Sequence, residues 1–470
     1  MHSRFVSSEN KKNNLLIHTS HWTRQAAEKM HSTPENTFPF FDVGRIKSLM
    51  PGYNVWDSWF VMTEEGMVAD VDGFRILMAL VKLIEDDKHT VTTSKATVNR
   101  ERIAYFYSSD GIHYRAGGYL FHVPLFNDTN EWSGSTILRN DGCLQTFYTV
   151  ARGIHLGSIW QTEQRFATAI QRIYKHLGAR RISIEEPHVH CLLAEPDGQF
   201  YETASQALNR EAAYTTRHNR QYGDEQTDNF CFRDPKFVKD KESGRCFLLF
   251  EANTGSEFCP PGFVNPAYLG VPGEQINYAP CPDDLKSNAC VGVLELTNAE
   301  YTFGVFHQPW LTANLVTDEI ERINVIFYDS SVYLFVVGHG NKCSLVTIKP
   351  DLQNRDYMLG FRAPYLFGPL EPLNDSGVVL QQKSLGDTYV GQEKNQQYVY
   401  SWLIIPTNEG NIFDCISYAN YSTNAQGKIV ANKSAGPTVS LKIDGLETSI
   451  VDRKYTILPT EARRHLEKKH

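Results

Sequence analysis

The stretch Val316-Thr-Asp-Glu-Ile-Glu-Arg-Ile-Asn-Val-Ile-Phe327 places a cluster of charged residues directly before an apolar run. The run from Ile323 to Phe327 is mostly β-branched and apolar, which predicts a buried strand. Asp318, Glu319 and Glu321 fall within four residues at the start of that strand. Crowded carboxylates repel one another, so one of them is expected to keep its proton near neutral pH. The alternative interpretation is an acidic turn that merely precedes a strand.

An apolar strand, a polar turn and a second apolar strand recur as a unit along the chain. One copy runs from Trp132 to Thr149, with Asn140-Asp-Gly as the kind of turn that a tight hairpin requires. Five such units begin near Trp56, Trp132, Asp234, Glu321 and Tyr400. Polar residues on each first strand predict an all-β fold, a five-bladed β-propeller with those groups turned toward one axis. Apolar residues between Thr162 and Leu177 recur at a near-helical period, so a short helix is the alternative there.

The composition excludes several classes of protein. The chain has 470 residues, of which 41% are hydrophobic and 12% aromatic, enough for a large core. The formal net charge is −8 and no basic patch stands out, so nucleic acid is not an expected partner. No run of 18 apolar residues occurs, so no membrane span is predicted. A neutral substrate such as a sugar fits this charge better than a polyanion does.

The sequence predicts one domain between two polar ends. Residues 1–35 are expected to be loose, residues 36–460 to form the single propeller domain, and residues 461–470 to be a charged tail. The first residues, 1–14, lack the apolar core of a secretory signal peptide. The nine cysteines include no Cys-x-x-Cys pair, so a zinc site is not indicated. The expected place for a disulfide is the Pro/Gly-rich loop with Cys259, Cys281 and Cys290.

Two further motifs place carboxylates beside aromatic or cationic side chains. In Val55-Trp-Asp-Ser-Trp59 an aspartate stands between tryptophans, whose faces commonly form the floor of a sugar site. Asp57 is therefore a candidate nucleophile for an anomeric carbon, and the alternative is a capping aspartate beside two core tryptophans. In Phe232-Arg-Asp-Pro235 the proline interrupts the strand ladder and leaves Asp234 at a strand mouth. Arg233 beside it can fix the carboxylate by paired hydrogen bonds.

These stretches together resemble the signature motifs of one family. Val55-Trp-Asp-Ser-Trp59, Phe232-Arg-Asp-Pro235 and Asp318-Glu-Ile-Glu-Arg322 are similar to the motifs of the levansucrases, glycoside hydrolase family 68. The supporting motifs are Glu131-Trp-Ser-Gly-Ser135, Phe250-Glu-Ala-Asn-Thr-Gly255, Tyr333-Leu-Phe335, Tyr357-Met-Leu-Gly360 and Pro437-Thr-Val-Ser-Leu441. The resemblance extends from Trp22 to Pro459, with the motifs in the family's order.

The resemblance implies a five-bladed β-propeller with a deep, funnel-shaped active-site pocket, sucrose as donor, and no required cofactor. It also implies a retaining, two-step mechanism, in which two carboxyl groups about 5–5.5 Å apart act as nucleophile and acid/base. Asp57 matches the nucleophile, Glu321 the acid/base, and Asp234 the carboxylate that stabilises the transition state. The residues that match sugar-subsite positions are Trp56, Trp132, Ser133, Arg233, Glu251, Glu319, Arg322, His339 and Tyr400.

Two features concern variation within the family. His339 stands where enzymes of the Gram-positive type carry an arginine that steers the acceptor, and a histidine there resembles the Gram-negative type. The Gram-positive type also binds a structural calcium ion, and three of its oxygen ligands match Asp228, Asn288 and Asp318. A glutamine ligand of that type has no match in Cys259-Pro-Pro261. A disulfide in this region is the alternative tether.

Other functions stand as alternatives to a levansucrase-like fructosyltransferase. A non-catalytic sugar-binding propeller is one, although such relatives usually lose a catalytic carboxylate and all three are present here. A sucrose-hydrolysing β-fructofuranosidase or an inulosucrase of the same family is the other. Invertases of the related clan carry Asn-Asp-Pro-Asn-Gly and Glu-Cys motifs, which this sequence lacks. The resemblance favours an extracellular enzyme acting on sucrose and fructan acceptors, and we expect a monomer without a membrane partner.

Overall fold

A computed structural model gives the fold of most of the chain. It describes residues 15–84, 100–111, 113–156, 159–176, 178, 180–213, 230–258, 264–270, 278–383, 398–424 and 426–456. β-Strands dominate these residues, as the frequent β-branched and aromatic residues predict. No helix in the described ranges is long and apolar enough to span a membrane.

The strands follow one another in short hairpins. The N-terminal third contains β1 (Ser20–His21), β2 (Tyr53–Thr63), β3 (Arg75–Leu83), β4 (Arg102–Ser108), β5 (Arg115–Tyr119), β6 (Asn130–Leu138), β7 (Leu144–Leu156), β8 (Ile159–Gln171), β9 (Ile173–His176), β10 (Arg181–Ile184) and β11 (Val189–Ala194). The middle contains β12 (Phe232–Lys239), β13 (Cys246–Asn253), β14 (Ala289–Leu296), β15 (Gly304–Thr312), β16 (Glu321–Tyr328), β17 (Ser331–His339), β18 (Arg355–Ala363), β19 (Glu371–Pro372) and β20 (Val378–Lys383). The last part contains β21 (Val399–Glu409), β22 (Ile412–Ala419), β23 (Ser422–Thr423), β24 (Ile429–Val430), β25 (Ser434–Ala435), β26 (Thr438–Asp444) and β27 (Glu447–Thr456).

The helices are short and lie between the hairpins. The α-helices are α1 (Arg24–Ala27), α2 (Ala204–Ala213) and α3 (Pro282–Lys286). Single turns of 3-10 helix occur at Val43–Arg45, Pro266–Tyr268, Gly340–Lys342, Ser344–Thr347 and Pro350–Asn354.

Four sheets contain most of the strands. The largest has the order β11-β8-β7-β6-β2-β3-β4-β5, and its two halves meet where β2 and β6 pair in parallel, with Val61 opposite Thr136. The second has the order β1-β15-β14-β13-β12, the third β16-β17-β18-β19 with β20 on β18, and the fourth β21-β22-β26-β27 with β25 on β22. The five hairpin units predicted from the sequence are thus confirmed as β2–β3, β6–β7, β12–β13, β16–β17 and β21–β22.

The turn between β16 and β17 shows why the hairpins close where they do. Asp329 and Ser330 both have positive φ, 47° and 54°. A two-residue turn of this handedness matches the right-handed twist of the strands that it joins. It leaves Tyr328 opposite Ser331, and it fixes the register of the whole hairpin.

Apolar clusters join each sheet to the next, and one of them joins the last sheet to the first. Clusters shared by adjacent sheets include Phe166 with Phe232, Val291 with Val336, Phe335 with Ile404, and Leu403 with Leu80. Burying one such side chain completely contributes about 1.5–3 kcal/mol. The sheets therefore pack against one another through shared apolar clusters.

The helix considered between Thr162 and Leu177 is absent from the described residues, because residues 162–171 pair with β7 as part of strand β8 and residues 173–176 pair with β10 as strand β9. The ladder runs from Leu144 opposite Gln171 to Leu156 opposite Ile159. Thr162 and Thr168, with branched side chains, suit a strand, and cross-strand pairing outweighs the weak helical period. Leu177 lies outside the described residues.

The N-terminal segment differs from its prediction. The sequence predicts residues 1–35 to be loose, yet residues 15–35 pack against the sheets. β1 pairs in parallel with β15, and the Trp22 indole donates to the Ser376 carbonyl at 2.9 Å. Arg24 Nη1 donates to Asp284 Oδ1 at 2.5 Å. A large aromatic side chain and a buried ion pair hold this segment in place, and polarity of the sequence alone does not reveal such contacts.

The expected disulfide is not formed by Cys281 and Cys290, which are both free thiols. Cys281 caps the N-terminus of α3, whereas the Cys290 side chain packs in the apolar cluster between the first two sheets. Burial raises the pKa of the Cys290 thiol well above its usual range. Cys259 lies outside the described residues. A cluster of cysteines in sequence therefore does not bring these two side chains together.

Candidate active site

The five first strands share an irregularity near their beginning. In each, the pairing register shifts within two or three residues: between Trp56 and Trp59, Trp132 and Gly134, Arg233 and Lys236, Glu321 and Asn324, and Tyr400 and Leu403. At four of these bulges a non-glycine residue has positive φ, namely Asp57 (39°), Asp234 (58°), Arg322 (56°) and Ser401 (58°). A bulge redirects a side chain, and backbone strain of this kind concentrates at functional sites.

The fifth bulge, in β6, depends on a glycine. A Cβ atom on Gly134 would lie 1.9 Å from the carbonyl oxygen of Phe147 on the neighbouring strand. Only glycine allows the two backbones to approach this closely. The preceding residue, Ser133, is thereby placed with its hydroxyl between two carboxylates, as described below.

A cavity of about 260 Å³ opens beside these bulges. Its lining residues are Trp56, Asp57, Leu80, Glu101, Trp132, Ser133, Arg233, Asp234 and Glu321. The three carboxylates assigned to catalysis from the sequence therefore meet in one cavity, although more than 260 positions separate Asp57 from Glu321 in the chain. Two tryptophans form part of its wall.

Ser133 links the carboxylates of Asp57 and Asp234. Its hydroxyl lies 2.5 Å from Asp234 Oδ1 and 3.4 Å from Asp57 Oδ2. The second oxygen of Asp234 accepts from the backbone N–H of Arg322 at 3.3 Å, and the backbone N–H of Asp234 donates to Thr149 Oγ1 at 3.0 Å. Burial raises the pKa of Asp234, and the charge on Asp57 acts in the same direction. The two aspartates are thus held side by side.

Arg233 connects three glutamates on the other side of the cavity. Its Nε donates to Glu251 Oε2 at 2.8 Å, and its Nη2 lies 3.0 Å from Glu321 Oε1 and 3.3 Å from Glu319 Oε2. Glu251 is fully buried behind the guanidinium. Because the fork of an arginine fixes direction as well as charge, Glu251 orients Arg233 and Arg233 orients the other two carboxylates.

Glu321 is the carboxyl group suited to hold a proton near neutral pH. Burial, followed by repulsion from Glu319, raises the pKa of Glu321 to about 7. The Tyr400 hydroxyl donates to Glu321 Oε2 at 2.6 Å. Burial also disfavours the charge on Glu319, but Lys342, His339 and Arg233 outweigh it, so the pKa of Glu319 is lowered. One carboxyl group is therefore poised as a proton donor beside one that stays ionised.

His339 supplies a positive charge next to these glutamates. Its Nδ1 lies 2.7 Å from Asp356 Oδ1, and its ring stacks on Tyr400 with 4.2 Å between centroids. Burial favours neutral His339, but the Asp356 carboxylate outweighs this and raises the pKa of His339 to about 9. Nitrogen or oxygen atoms of His339, Glu319 and Glu321 lie within 4.8 Å of one another. Since Arg233 and a protonated imidazole already neutralise both glutamates, this trio does not fit a metal ion.

Trp132 is held by a residue that the sequence did not single out. Its indole Nε1 donates to Glu101 Oε2 at 2.5 Å, and Glu101 lies 3.6 Å from the Lys82 ammonium group. Glu101 stands in a polar, mostly charged run, Asn99-Arg-Glu-Arg102, and such a run is typical of a solvated surface. Leu80, Thr149 and Asp356 were missed as well, and none carries a sequence signal of its own.

Several predicted subsite residues are not among the residues that line this cavity. Glu251, Glu319, His339 and Tyr400 reach it through their contacts with Arg233 or Glu321. The Nη2 of Arg322 donates to the Ser58 carbonyl at 2.7 Å, and its guanidinium lies 6.0 Å from the Trp59 ring centre, so its place in a sugar subsite stays a prediction. The backbone N–H of Arg322 donates to Asp234, and although burial raises the pKa of that carboxyl group overall, the charge of Arg322 acts to lower it. Of the candidate calcium ligands, Asp228 lies outside the described residues.

Comparison with known proteins gives consistent matches over nearly the whole chain. A family model described as Levansucrase/Invertase matches residues 11–457. A levansucrase of Bacillus amyloliquefaciens is 30% identical over 452 residues, which cover 92% of this chain and 88% of that protein. An extracellular sucrase of Zymomonas mobilis subsp. mobilis is 27% identical over 442 residues, which cover 92% of this chain and 93% of that protein.

The fold agrees with solved structures. A crystal structure of Bacillus subtilis levansucrase with two substitutions, in complex with oligosaccharides, matches with a TM-score of 0.75 and 27% identity, covering 93% of this chain and 96% of that chain. The residues matched by the family model include every strand that bears a candidate catalytic carboxylate. This chain therefore belongs to the levansucrase/invertase family, glycoside hydrolase family 68.

Proposed function

We propose that this chain is a levansucrase-like fructosyltransferase, which cleaves sucrose with retention and transfers fructose to sucrose, growing fructan or water. The observation that carries the proposal is that Glu321, Asp57 and Asp234 line one cavity, in which the pKa of Glu321 is raised to about 7. Retaining cleavage requires two carboxyl groups of the protein beside the scissile bond, one protonated and one ionised. The levansucrase relatives support sucrose as the donor.

In the first step, a carboxylate oxygen of Asp57 attacks the anomeric carbon of the fructosyl unit. The bond from that carbon to the glucosyl oxygen breaks, and Glu321 gives its proton to this oxygen, so glucose leaves neutral. In the second step, Glu321 takes a proton from the acceptor hydroxyl or water. The acceptor oxygen then bonds to the anomeric carbon and the ester to Asp57 breaks. Asp234, with Ser133 beside it, binds fructosyl hydroxyls and stabilises the positive charge that develops on the fructosyl unit in the transition state of each step.

The remaining predicted residues have supporting roles in this proposal. Trp56 and Trp132 provide apolar faces for the sugar rings, and Arg233 sets the positions of both glutamates. The packing of each sheet on the next supports a five-bladed β-propeller, in which the β2–β6 pairing joins the first two blades. The sugar would enter at the end of the central axis where the five bulges lie. The relative named an extracellular sucrase supports secretion.

The test is to incubate the purified chain with sucrose and to measure released glucose, free fructose and transferred fructose by chromatography. Glucose in excess of free fructose is the expected result, because each fructosyl unit passed to a sugar is missing from the free pool. Equal amounts of the two would favour a sucrose-hydrolysing β-fructofuranosidase. Linkage analysis of the products separates a levan-forming from an inulin-forming enzyme. No release of glucose would contradict the proposal and favour a non-catalytic sugar-binding protein.

Glu319 is expected to set the pH range of the enzyme. Because its charge raises the pKa of Glu321, Glu319→Gln should lower that pKa. Activity requires the protonated acid, so the alkaline limb of the kcat profile should move to lower pH, by roughly one unit. The KM for sucrose should rise as well, since the geometry of Arg233 loses one of its carboxylate partners.

The matched control is Glu371→Gln, an exposed glutamate on β19 of the same sheet, which should change neither quantity. If the pH profile of kcat and the KM for sucrose are the same in Glu319→Gln as in the unaltered protein, Glu319 lies outside the functional site.

His339 is expected to limit the length of the products. An imidazole is shorter than a guanidinium and has fewer donors, so acceptor chains should leave sooner. We expect glucose, free fructose and short fructo-oligosaccharides as the main products, with long levan a lesser fraction. His339→Arg should move the product distribution toward longer chains on size-exclusion chromatography. Asp356→Asn, which removes the partner that orients His339, should move it toward free fructose. The role of His339 would be refuted if the unaltered protein made mainly long polymer and if His339→Arg gave the same distribution of product lengths.

A further inference from the structure

A buried arginine stands at the loop where the family resemblance implies a calcium ion. Arg210, near the end of α2, faces Glu202 with two parallel hydrogen bonds: Nε lies 3.0 Å from Oε1, and Nη2 lies 2.8 Å from Oε2. Nη1 of the same guanidinium donates to the backbone carbonyl of Lys286 at 2.6 Å. All three residues are buried. The guanidinium therefore joins α2 to the segment that leads into β14.

Asn288, one of the candidate calcium ligands, belongs to the same network. Its Nδ2 lies 3.4 Å from Glu202 Oε2 and 3.3 Å from the Thr254 carbonyl, so its donor side faces these oxygen atoms. Its Oδ1 accepts from Asn253 Nδ2 at 2.9 Å, and the same amide donates to the backbone carbonyl of Asp318 at 3.0 Å. Nitrogen donors thus already satisfy the oxygen atoms that a cation would need.

The described residues do not provide the cage that calcium requires. Calcium takes about six to eight oxygen ligands, usually including several carboxylates. Here the Glu202 carboxylate is paired with a guanidinium, and the Asn288 oxygen is satisfied by an amide. Two buried oxygens, Asp318 Oδ1 and Asn314 Oδ1, have no hydrogen-bond partner, and two oxygens do not make a hard-cation site.

We propose that the guanidinium of Arg210 takes the place of a structural calcium ion in this chain. A fixed organic cation then ties α2 to the segment that leads into β14, so the stability of the fold does not depend on calcium. An arginine suits this role because its fork binds a carboxylate through two bonds and leaves a third donor for a backbone carbonyl. The inference concerns stability, so its test is independent of the proposed reaction.

The first measurement uses the unaltered full chain. Thermal unfolding is followed in excess EDTA and in millimolar calcium chloride, and the calcium content of the purified protein is measured by elemental analysis. We expect the same Tm in both solutions and far less than one calcium ion per chain. A Tm that falls in EDTA, or one bound calcium ion per chain, would overturn the proposal.

The second measurement uses Arg210→Gln, which leaves the Glu202 charge buried without its partner. We expect the Tm to fall by roughly 5 °C, because removing one member of a buried ion pair is strongly destabilising. Calcium chloride should restore part of this loss, since the Glu202 oxygens and the Lys286 carbonyl lose the guanidinium and become available to a cation. An unchanged Tm, or no effect of calcium on the variant, would show that the guanidinium does not occupy a cation position.

Arg245→Gln is the matched control. Arg245 binds Glu295 with the same paired geometry, 2.8 and 2.5 Å, but closer to solvent. Its loss should lower the Tm less, and calcium should not restore it. A calcium effect of equal size in both variants would mean non-specific binding and would refute the proposal. Should Arg210→Gln fail to fold, Arg210→Lys keeps the charge and loses the fork, and its Tm should be lower than that of the unaltered chain and insensitive to calcium.

Discussion

Asp57→Asn is expected to lower glucose release from sucrose by roughly 10⁴-fold or more, because the nucleophile acts as part of a unit whose loss abolishes the covalent route. We choose asparagine because Asp57 has a φ of 39°, a left-handed conformation that asparagine tolerates and alanine does not. The amide can still contact the hydroxyl of Ser133, so the local structure is retained. The variant should therefore unfold at nearly the same temperature as the unaltered protein.

The matched control for this experiment is Asp72→Asn. Asp72 also has a positive φ, 52°, but lies in the exposed turn before β3, away from the cavity. It should keep full activity. Near-normal glucose release from Asp57→Asn, with full activity in the control, would show that another residue is the nucleophile. A large loss in both variants would indicate disturbed folding of β2 and β3.

Glu321→Gln is expected to reduce sucrose cleavage by about 10²–10⁴-fold, the usual contribution of a general acid. The reason is specific: glucose is a poor leaving group and needs the proton that Glu321 carries, whereas a fluoride leaving group does not. With a fructosyl fluoride donor, the variant should still form the ester on Asp57. Since no base then activates the acceptor, the ester should accumulate, and mass spectrometry should find the fructosyl label on the peptide that contains Asp57.

Two outcomes would contradict these roles. A label on a different residue would overturn the assignment of Asp57, and equal losses with sucrose and with the fluoride would show that Glu321 does not act as a proton donor. Tyr400→Phe is a useful companion, because it removes the 2.6 Å hydrogen bond to Glu321 and leaves the carboxyl group in place. It should give a smaller loss and a changed pH profile.

That Asp57, Asp234 and Glu321 belong to one candidate site could be predicted from the sequence, because these carboxylates lie in short motifs with unusual composition. Asp57 stands between two tryptophans, Asp234 precedes a proline at a strand mouth, and Glu321 follows two other acids. The hairpins could be predicted too, since alternating apolar runs and turn residues are local signals. The family resemblance gave the roles, and the structure gives their geometry.

The supporting residues could not be predicted, because their positions depend on contacts between distant strands. Asp356 meets His339 only because β17 and β18 pair in a register that places the two residues opposite one another. The Arg322 side chain contacts the Ser58 carbonyl because the bulge in β16 gives Arg322 a positive φ. The sequence Asp318-Glu-Ile-Glu-Arg322 does not predict that conformation. A one-residue change of register would reverse both outcomes.

The short N-terminal strand has a consequence for how the chain folds during its synthesis. Ser20 and His21 form their ladder with Leu311 and Thr312, and the Trp22 indole binds the carbonyl of Ser376. The ribosome synthesises these partner residues long after residues 20–22. The segment therefore stays unfolded while the intervening hairpins form. Docking of this segment onto β15 is thus a late event. Replacing Trp22 should slow the final phase of refolding more than it slows the formation of the early hairpins.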